Sequence, residues 1–80
     1  MRFRTFNEAA DRDCVFVLGW GNTWAHESVR WLIDAVADDG WTVHAVELPT
    51  NITDFRADWL EPVVEYVRDL DEFALMGHSA

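Results

Sequence analysis

The chain has 80 residues, half of them hydrophobic, and its 15 acidic residues stand against six arginines and no lysine. This apolar and aromatic-rich composition indicates one small globular domain and excludes a disordered chain. The net charge of −9 argues against nucleic acids and anionic membranes as partners, because both repel an acidic surface.

The acidic excess resembles the surfaces of proteins from salt-loving organisms, which stay hydrated in concentrated salt. Salt shortens the range of charge repulsion to about 3 Å at 1 M, so a chain of this charge is better tolerated there. We therefore expect a halophilic surface whose stability rises with ionic strength.

Cysteine usage and the N-terminus bear on compartment and cofactors. The single cysteine, Cys14, permits neither an internal disulfide nor a metal cluster, and we expect it to be buried as a small hydrophobe. No apolar region of a signal peptide follows the basic start Met1–Phe6, and no stretch approaches the ~20 apolar residues of a membrane span. These observations predict a cytoplasmic protein without a metal or another cofactor.

The first clear element is the continuous apolar run Cys14–Leu18, which is typical of a strand covered on both faces. The alternating stretch Arg2–Phe6 suggests an additional edge strand. Between about residues 24 and 39 the period changes to that of a helix, with Asn22 or Thr23 as its cap and Gly40 just past its end. The apolar stripe of this helix consists of Val29, Leu32, Ile33 and Val36.

A second strand is predicted at Trp41–Val46, and a third at Phe73–Met76. Between them, residues 54 to 70 read as a helix capped by Thr53 or Asp54. Pro62 lacks an N–H and clashes with the preceding turn, so we expect a kink there or a fresh helix start.

The order β-α-β-α-β predicts an α/β fold with an open parallel sheet. We expect the three strands in the order two-one-three, with one helix on each face. Ligands in such sheets bind where the strand order reverses, at the carboxyl ends of the strands. Two glycine-bearing loops, Gly19–Asn22 and Gly77–Ala80, follow the two strands that flank this position.

The run Gly77-His78-Ser79-Ala80 directly follows a buried strand. A serine on a sharp strand-to-helix turn presents its hydroxyl above the sheet, and its crowded neighbours must be small, as Gly77 and Ala80 are. The motif G-x-S-x-G would need one further glycine after Ala80. Ser79 is therefore a candidate nucleophile, with His78 as a spacer within the turn.

Acyl transfer also requires two N–H donors for the oxyanion of the tetrahedral intermediate. In a serine hydrolase of this type, one donor belongs to the residue after the nucleophile, which here is Ala80. The loop after the first covered strand supplies the other, and Trp20 is the candidate. Gly19 and Gly21 on either side would let this backbone approach a substrate closely.

Taken together, residues 13–80 resemble the opening of the α/β-hydrolase superfamily, in particular its small carboxylesterase and acyl-hydrolase branches. The resemblance implies that Ser79 is the nucleophile, that Trp20 and Ala80 are the oxyanion donors, and that the substrate is a small ester or related acyl compound. The segment Leu48-Pro49 resembles the family's Asp-Leu-Pro-Gly, whereas Leu18 and Thr50 stand where many members have histidine and glycine.

The family places the acid and the histidine of its triad after the serine. The 80 residues would then form one incomplete domain, an N-terminal fragment that is inactive alone. None of the histidines present is a convincing base: His78 adjoins Ser79, His26 lies near the oxyanion loop in a capping or solvated position, and His44 lies within a strand.

Two other functions stay open from the residues alone. A non-enzymatic remnant or binding module would keep the fold without the chemistry. A dinucleotide-binding unit would use Gly19, Gly21 and the acid Glu47, but its fingerprint requires a small third residue where this chain has Trp24. The substrate, the bond type and the oligomeric state cannot be inferred from the fold class.

Overall fold

The computed structural model describes residues 1–77 of the chain. They form a small mixed α/β domain with a four-stranded open sheet in the order β1-β3-β2-β4. The strands, in chain order, are β1 (Arg2–Phe6), β2 (Arg12–Val17), β3 (Trp41–Glu47) and β4 (Ala74–Gly77). The helices are α1 (Glu27–Asp38) and α2 (Glu61–Val67), and a π-helical turn, Arg56–Leu60, precedes α2 and is called the π segment below.

The predicted parallel order is confirmed. The strand β2 lies between β3 and β4 and is parallel to both, so the first, second and third predicted strands have the order two-one-three. The alternating N-terminal stretch is also a strand, which pairs antiparallel with β3 at the edge of the sheet. The sheet is therefore mixed, because this edge strand runs against the other three.

The helices pack on opposite faces, as predicted. The face that carries Phe16 and Val43 is covered by Val29 and Ile33 of α1, and together they form the main hydrophobic core. The alternate residues of the same strands face the other way, where Tyr66 of α2 stacks on Phe3 of β1 at 4.1 Å between ring centroids.

The start of α1 differs from the prediction. The helix begins at Glu27, and its N-cap, His26, makes no side-chain capping hydrogen bond. Thr23 does not cap the helix, because its hydroxyl donates instead to the carboxylate of Glu47. The end of α1 agrees with the prediction, since Gly40 has a φ of +93° just past the final turn.

The interruption predicted at Pro62 takes the form of the π segment followed by α2. Proline cannot donate a backbone hydrogen bond and crowds the carbonyl four residues earlier. The helix widens ahead of it, and the N–H of Glu61 bonds to the carbonyl of Arg56, five residues back. At the start of the π segment, Oδ1 of Asp54 accepts hydrogen bonds from the N–H groups of Arg56 and Ala57, as expected of a capping residue.

Candidate active site

The carboxyl ends of β2 and β4 lie side by side. Val17 pairs with Gly77 in a parallel register, so both strands end at the same edge of the sheet, which is called the switch edge below. The loop Gly19–Asn22 leaves β2 at this edge. Gly77 is the last described residue, and the predicted site residues His78, Ser79 and Ala80 lie outside the described part of the chain.

A tight turn holds the predicted oxyanion loop. The N–H of Asn22 donates to the carbonyl of Gly19 at 2.9 Å, and Gly21 has a φ of +77°. A positive φ at the third residue is what a type II turn requires, and only glycine adopts it without strain. Apart from Gly21 and its two chain neighbours, no atom of residues 1–77 lies within 4 Å of the position that a Cβ of Gly21 would occupy, so the glycine serves the backbone conformation.

Glu47, at the end of β3, fixes the far side of this loop. Its Oε2 accepts a short hydrogen bond from the Thr23 hydroxyl and a second one, at 3.2 Å, from the backbone N–H of Trp24. The residue is buried, with 8% of its surface exposed, so both bonds form away from most solvent. Bonds to a charged, buried acceptor are roughly twice as strong as neutral ones. The loop is thus attached at both ends.

The other carboxylate oxygen of Glu47 pairs with Arg2 of β1. The distance between Arg2 Nη1 and Glu47 Oε1 is 3.0 Å, and the guanidinium lies over the Trp24 ring at 4.8 Å from its centroid. Sequence reasoning did not find this arrangement, because it joins residues from β1, β3 and the loop. Glu47 and Trp24 also weaken the dinucleotide alternative, since the carboxylate is engaged and the buried indole fills the position of the third glycine.

The two described histidines differ in their surroundings. His26 is exposed beside the loop, and its Nδ1 lies 3.2 Å from Oδ1 of Asn22. His44 is packed against α2: its Nε2 lies 2.7 Å from Oδ1 of Asp13, and its Nδ1 lies 3.0 Å from the Tyr66 hydroxyl. Both ring nitrogens of His44 are therefore occupied within the domain, and it points away from the loop face of Glu47.

Sequence reasoning placed His44 in a strand but missed its partners. Asp13 lies on β2 and Tyr66 on α2, so only the folded chain brings the three together. The Tyr66 hydroxyl is also 3.4 Å from Oγ1 of Thr5, which extends the hydrogen-bonded group to β1. These four residues, called the His44 network below, connect three strands to α2.

The cavities lined by described residues include one at each end of the parallel strands. The larger, about 330 Å³, lies at the amino ends of β2 and β4, opposite the switch edge, and includes Asp13, Trp41 and Phe73. The smaller, about 180 Å³, is an apolar groove between the π segment, α2 and the sheet, lined by Val17, Phe55, Trp59, Leu60, Val63 and Leu75. Size alone would favour the larger cavity, but ligands of open parallel sheets bind at the carboxyl ends of the strands.

Other chemistry-bearing groups are sparse in residues 1–77. Cys14 is buried, as predicted, and its burial raises the pKa of the thiol above the ordinary value, which disfavours the reactive thiolate. No group of three or more metal-ligating side chains is found in this range, and none of its helices has the length and apolar character to cross a bilayer.

Comparison with protein-family models, with curated proteins and with solved structures finds no match to this chain.

Proposed function

We propose that the chain carries the nucleophile and the oxyanion loop of a serine hydrolase of the α/β-hydrolase type, acting on esters or related acyl compounds. The observation that supports this most is the register of β2 and β4 at the switch edge. Because Val17 pairs with Gly77, the strand that precedes the Gly19–Asn22 loop and the strand that precedes Ser79 in the sequence are parallel neighbours that end at the same edge. A nucleophile and an oxyanion donor need this proximity.

The proposed chemistry is acyl transfer. The Ser79 hydroxyl would attack the substrate carbonyl, giving up its proton to a histidine base, while the backbone N–H groups of Trp20 and Ala80 stabilise the oxyanion. Collapse of the tetrahedral intermediate would expel the alcohol, which takes the proton from the histidine, and water would then hydrolyse the acyl-enzyme. The local geometry of the loop supports the role of Trp20, since the turn at Gly21 is tight and Glu47 holds its far end.

The base is proposed to come from outside the described residues. His44 is bonded at both ring nitrogens, to Asp13 and Tyr66, so it has no nitrogen left for a serine hydroxyl. His26 has no acid partner among the ion pairs of residues 1–77. A serine without a base is a poor nucleophile, so residues 1–80 alone should be inactive.

A fluorophosphonate probe tests the proposal, because it labels only an activated serine. We expect labelling of Ser79 in the product of the complete open reading frame that contains this chain, turnover of a short p-nitrophenyl ester, and the loss of both in Ser79→Ala. Residues 1–80 expressed alone should label at least about a thousandfold more slowly, since losing triad residues lowers kcat by roughly 10⁴-fold or more.

Two outcomes would contradict the proposal in different ways. If the complete product does not label at Ser79 although it is folded, the chain is not a serine hydrolase, and a non-enzymatic binding module becomes the better interpretation. If residues 1–80 alone label as fast as the complete product, a base lies within them. His26→Ala would then identify it, and the assignment of the base to other residues would be wrong.

A further inference from the structure

We infer that Glu47 is a positioning residue for the oxyanion donor, an inference that rests on the proposed function. Within residues 1–77, its carboxylate has no hydrogen bond to the proposed donor Trp20. It acts through Thr23 and Trp24, whose hydroxyl and backbone N–H both donate to Oε2. The loop between Gly19 and Trp24 is thereby held to the end of β3.

The argument begins with burial. An ionised carboxylate at 8% exposure costs free energy unless it is paired and hydrogen-bonded. Glu47 meets this requirement with three partners: Arg2, Thr23 and Trp24. Thr23 and Trp24 belong to the loop. The hydrogen bonds that stabilise the buried charge therefore also fix the position of the loop backbone.

The second step concerns what this attachment does for the loop. At its near end, β2 and the Gly19–Asn22 turn determine where the chain goes. At its far end, the segment before α1 has no side-chain cap, since His26 forms none. The carboxylate instead fixes the backbone two residues before this N-cap, by accepting from the N–H of Trp24. It adds an attachment to a neighbouring strand to the local bond between the N–H of His26 and the carbonyl of Thr23 and to the packing of the Trp24 ring.

The third step concerns the effect of the position of the oxyanion donor on kcat. An oxyanion donor is effective only when it is preorganised, and a displacement of about 1 Å can cost on the order of a hundredfold. Glu47→Ala and Thr23→Val should therefore lower kcat by about ten- to a hundredfold, with KM changed less than about threefold. A purely structural role would instead lower the folded fraction and leave the rate per folded molecule unchanged.

Two conservative variants of Glu47 separate the effect of side-chain length from the effect of charge. Glu47→Gln keeps the length of the side chain and an oxygen that can accept from Thr23 and Trp24. Glu47→Asp keeps the charge but is one methylene shorter, so it cannot reach the loop in the same geometry. If positioning is the role, Glu47→Gln should retain more of the kcat than Glu47→Asp. The reverse order would show that the charge alone matters, and it would overturn the inference.

Thr42→Val is the matched control for Thr23→Val. Thr42 is a buried threonine whose hydroxyl donates to the carbonyl of Asn7 at 2.8 Å, whereas Thr23 is half-buried and donates to Glu47; Thr42 lies at the opposite end of β3. It should lose stability similarly and keep its kcat. All variants are measured in the product of the complete reading frame, with rates corrected for the folded fraction and with fluorophosphonate labelling of Ser79 in parallel.

The two possible failures can be told apart. If the wild-type protein does not label at Ser79, the proposed function fails, and this inference falls with it. If the wild-type protein labels and turns over ester, but Glu47→Ala and Thr23→Val do so at the same rate per folded molecule, only the role of Glu47 is overturned.

Discussion

On one face of the sheet, α1 buries Val29 and Ile33 against the strands, whereas on the other neither the π segment nor α2 contains a buried residue. The second face also keeps large apolar side chains in solvent, among them Leu75 at 68% and Phe55 at 53% exposure. The two faces therefore depend on different forces. The α1 face is held by apolar packing, and the α2 face is held largely by the Tyr66 contacts with Phe3 and the His44 network.

This contrast shows why a short chain can have a well-packed core and still be marginal. Small domains bury a low fraction of their surface. Here most of the buried hydrophobic residues belong to the core under α1, and fewer of them, such as Val15 and Val46, are buried on the other face. Local stability is expected to follow this division, because opening free energies track buried apolar contacts.

The largest effect is expected from the α1 face. Ile33 is fully buried, and Ile33→Ala should lower the free energy of unfolding by about 2–5 kcal/mol, which combines lost transfer energy with a cavity. Since whole domains are stable by only about 5–15 kcal/mol, this loss is a large fraction of the total stability. Urea unfolding followed by tryptophan fluorescence measures the effect.

A pair of identical substitutions makes the contrast quantitative. Val29→Ala on α1 should cost about 2 kcal/mol, because Val29 is 3% exposed, whereas Val63→Ala on α2 should cost less than about 1 kcal/mol. Equal losses for the two valines would mean that the faces are equally well packed, contrary to the comparison.

The next effect concerns the hydroxyl that joins α2 to the sheet. Tyr66→Phe keeps the ring that stacks on Phe3 and removes only the partner of His44 Nδ1 and Thr5 Oγ1. Leaving a partly buried ring nitrogen without its partner should cost about 1–2 kcal/mol. Hydrogen exchange should show the loss mainly in α2, and equal loss of protection in α1 would contradict the division.

Salt should act more strongly on the α2 side. Residues 54–72 contain seven acids and two arginines, compared with eight acids and four arginines in the longer segment 1–53. Screening of this repulsion in molar KCl should raise Tm by roughly 5 °C, equivalent to about 1 kcal/mol for a domain of this size. Circular dichroism melts across a KCl series test this, and a Tm that does not rise argues against a halophilic surface.

The smallest effect is a pH dependence at the start of the π segment. The backbone N–H groups of Asp54 and Thr53 donate to the carboxylate of Asp58 and hold its pKa below the ordinary value of 3.8. Because the folded-state pKa is lowered, this contribution is present above pH 3.8 and is lost as the pH falls below it. The amide chemical shifts of Thr53 and Asp54 should titrate with a midpoint below pH 3.8, and Asp58→Asn should abolish that titration. A midpoint above pH 3.8 would show that these hydrogen bonds do not favour the carboxylate.

Much of the fold could be predicted from the sequence. The apolar runs and the helical periodicity indicated the strands and helices, and the covered strands with their two crossover helices favoured the strand order that the structure confirms. The helix start could not be predicted in the same way. Thr23 looks like a cap in sequence, but its hydroxyl binds Glu47, which lies 24 residues further along the chain.

The loops of the candidate site could be predicted from the sequence, whereas the contacts that hold the loops and the neighbouring strands in place could not. The glycine pattern predicted the Gly19–Asn22 loop, whereas the tight turn with a positive φ at Gly21 is a finding of the structure. The contacts of Glu47 and His44 leave no recognisable pattern in the sequence, because the contacts of each residue join three or more separate elements. The roles of Trp20, Ser79 and Ala80 stay predictions that the labelling experiment tests.

The two edges of the described sheet differ in how they meet other molecules. The edge strand β1 has exposed Arg2 and Arg4, whereas β4, with the sequence Ala-Leu-Met-Gly, has no charge and pairs on one side only within residues 1–77. An uncharged strand edge can recruit a strand from another molecule, and like-charge repulsion between chains opposes this recruitment. If salt raises Tm as predicted, the same screening of charge also weakens the barrier to association at β4. Solubility and thermal stability should respond to KCl in opposite directions, so the ionic strength best for storage lies below the one best for folding.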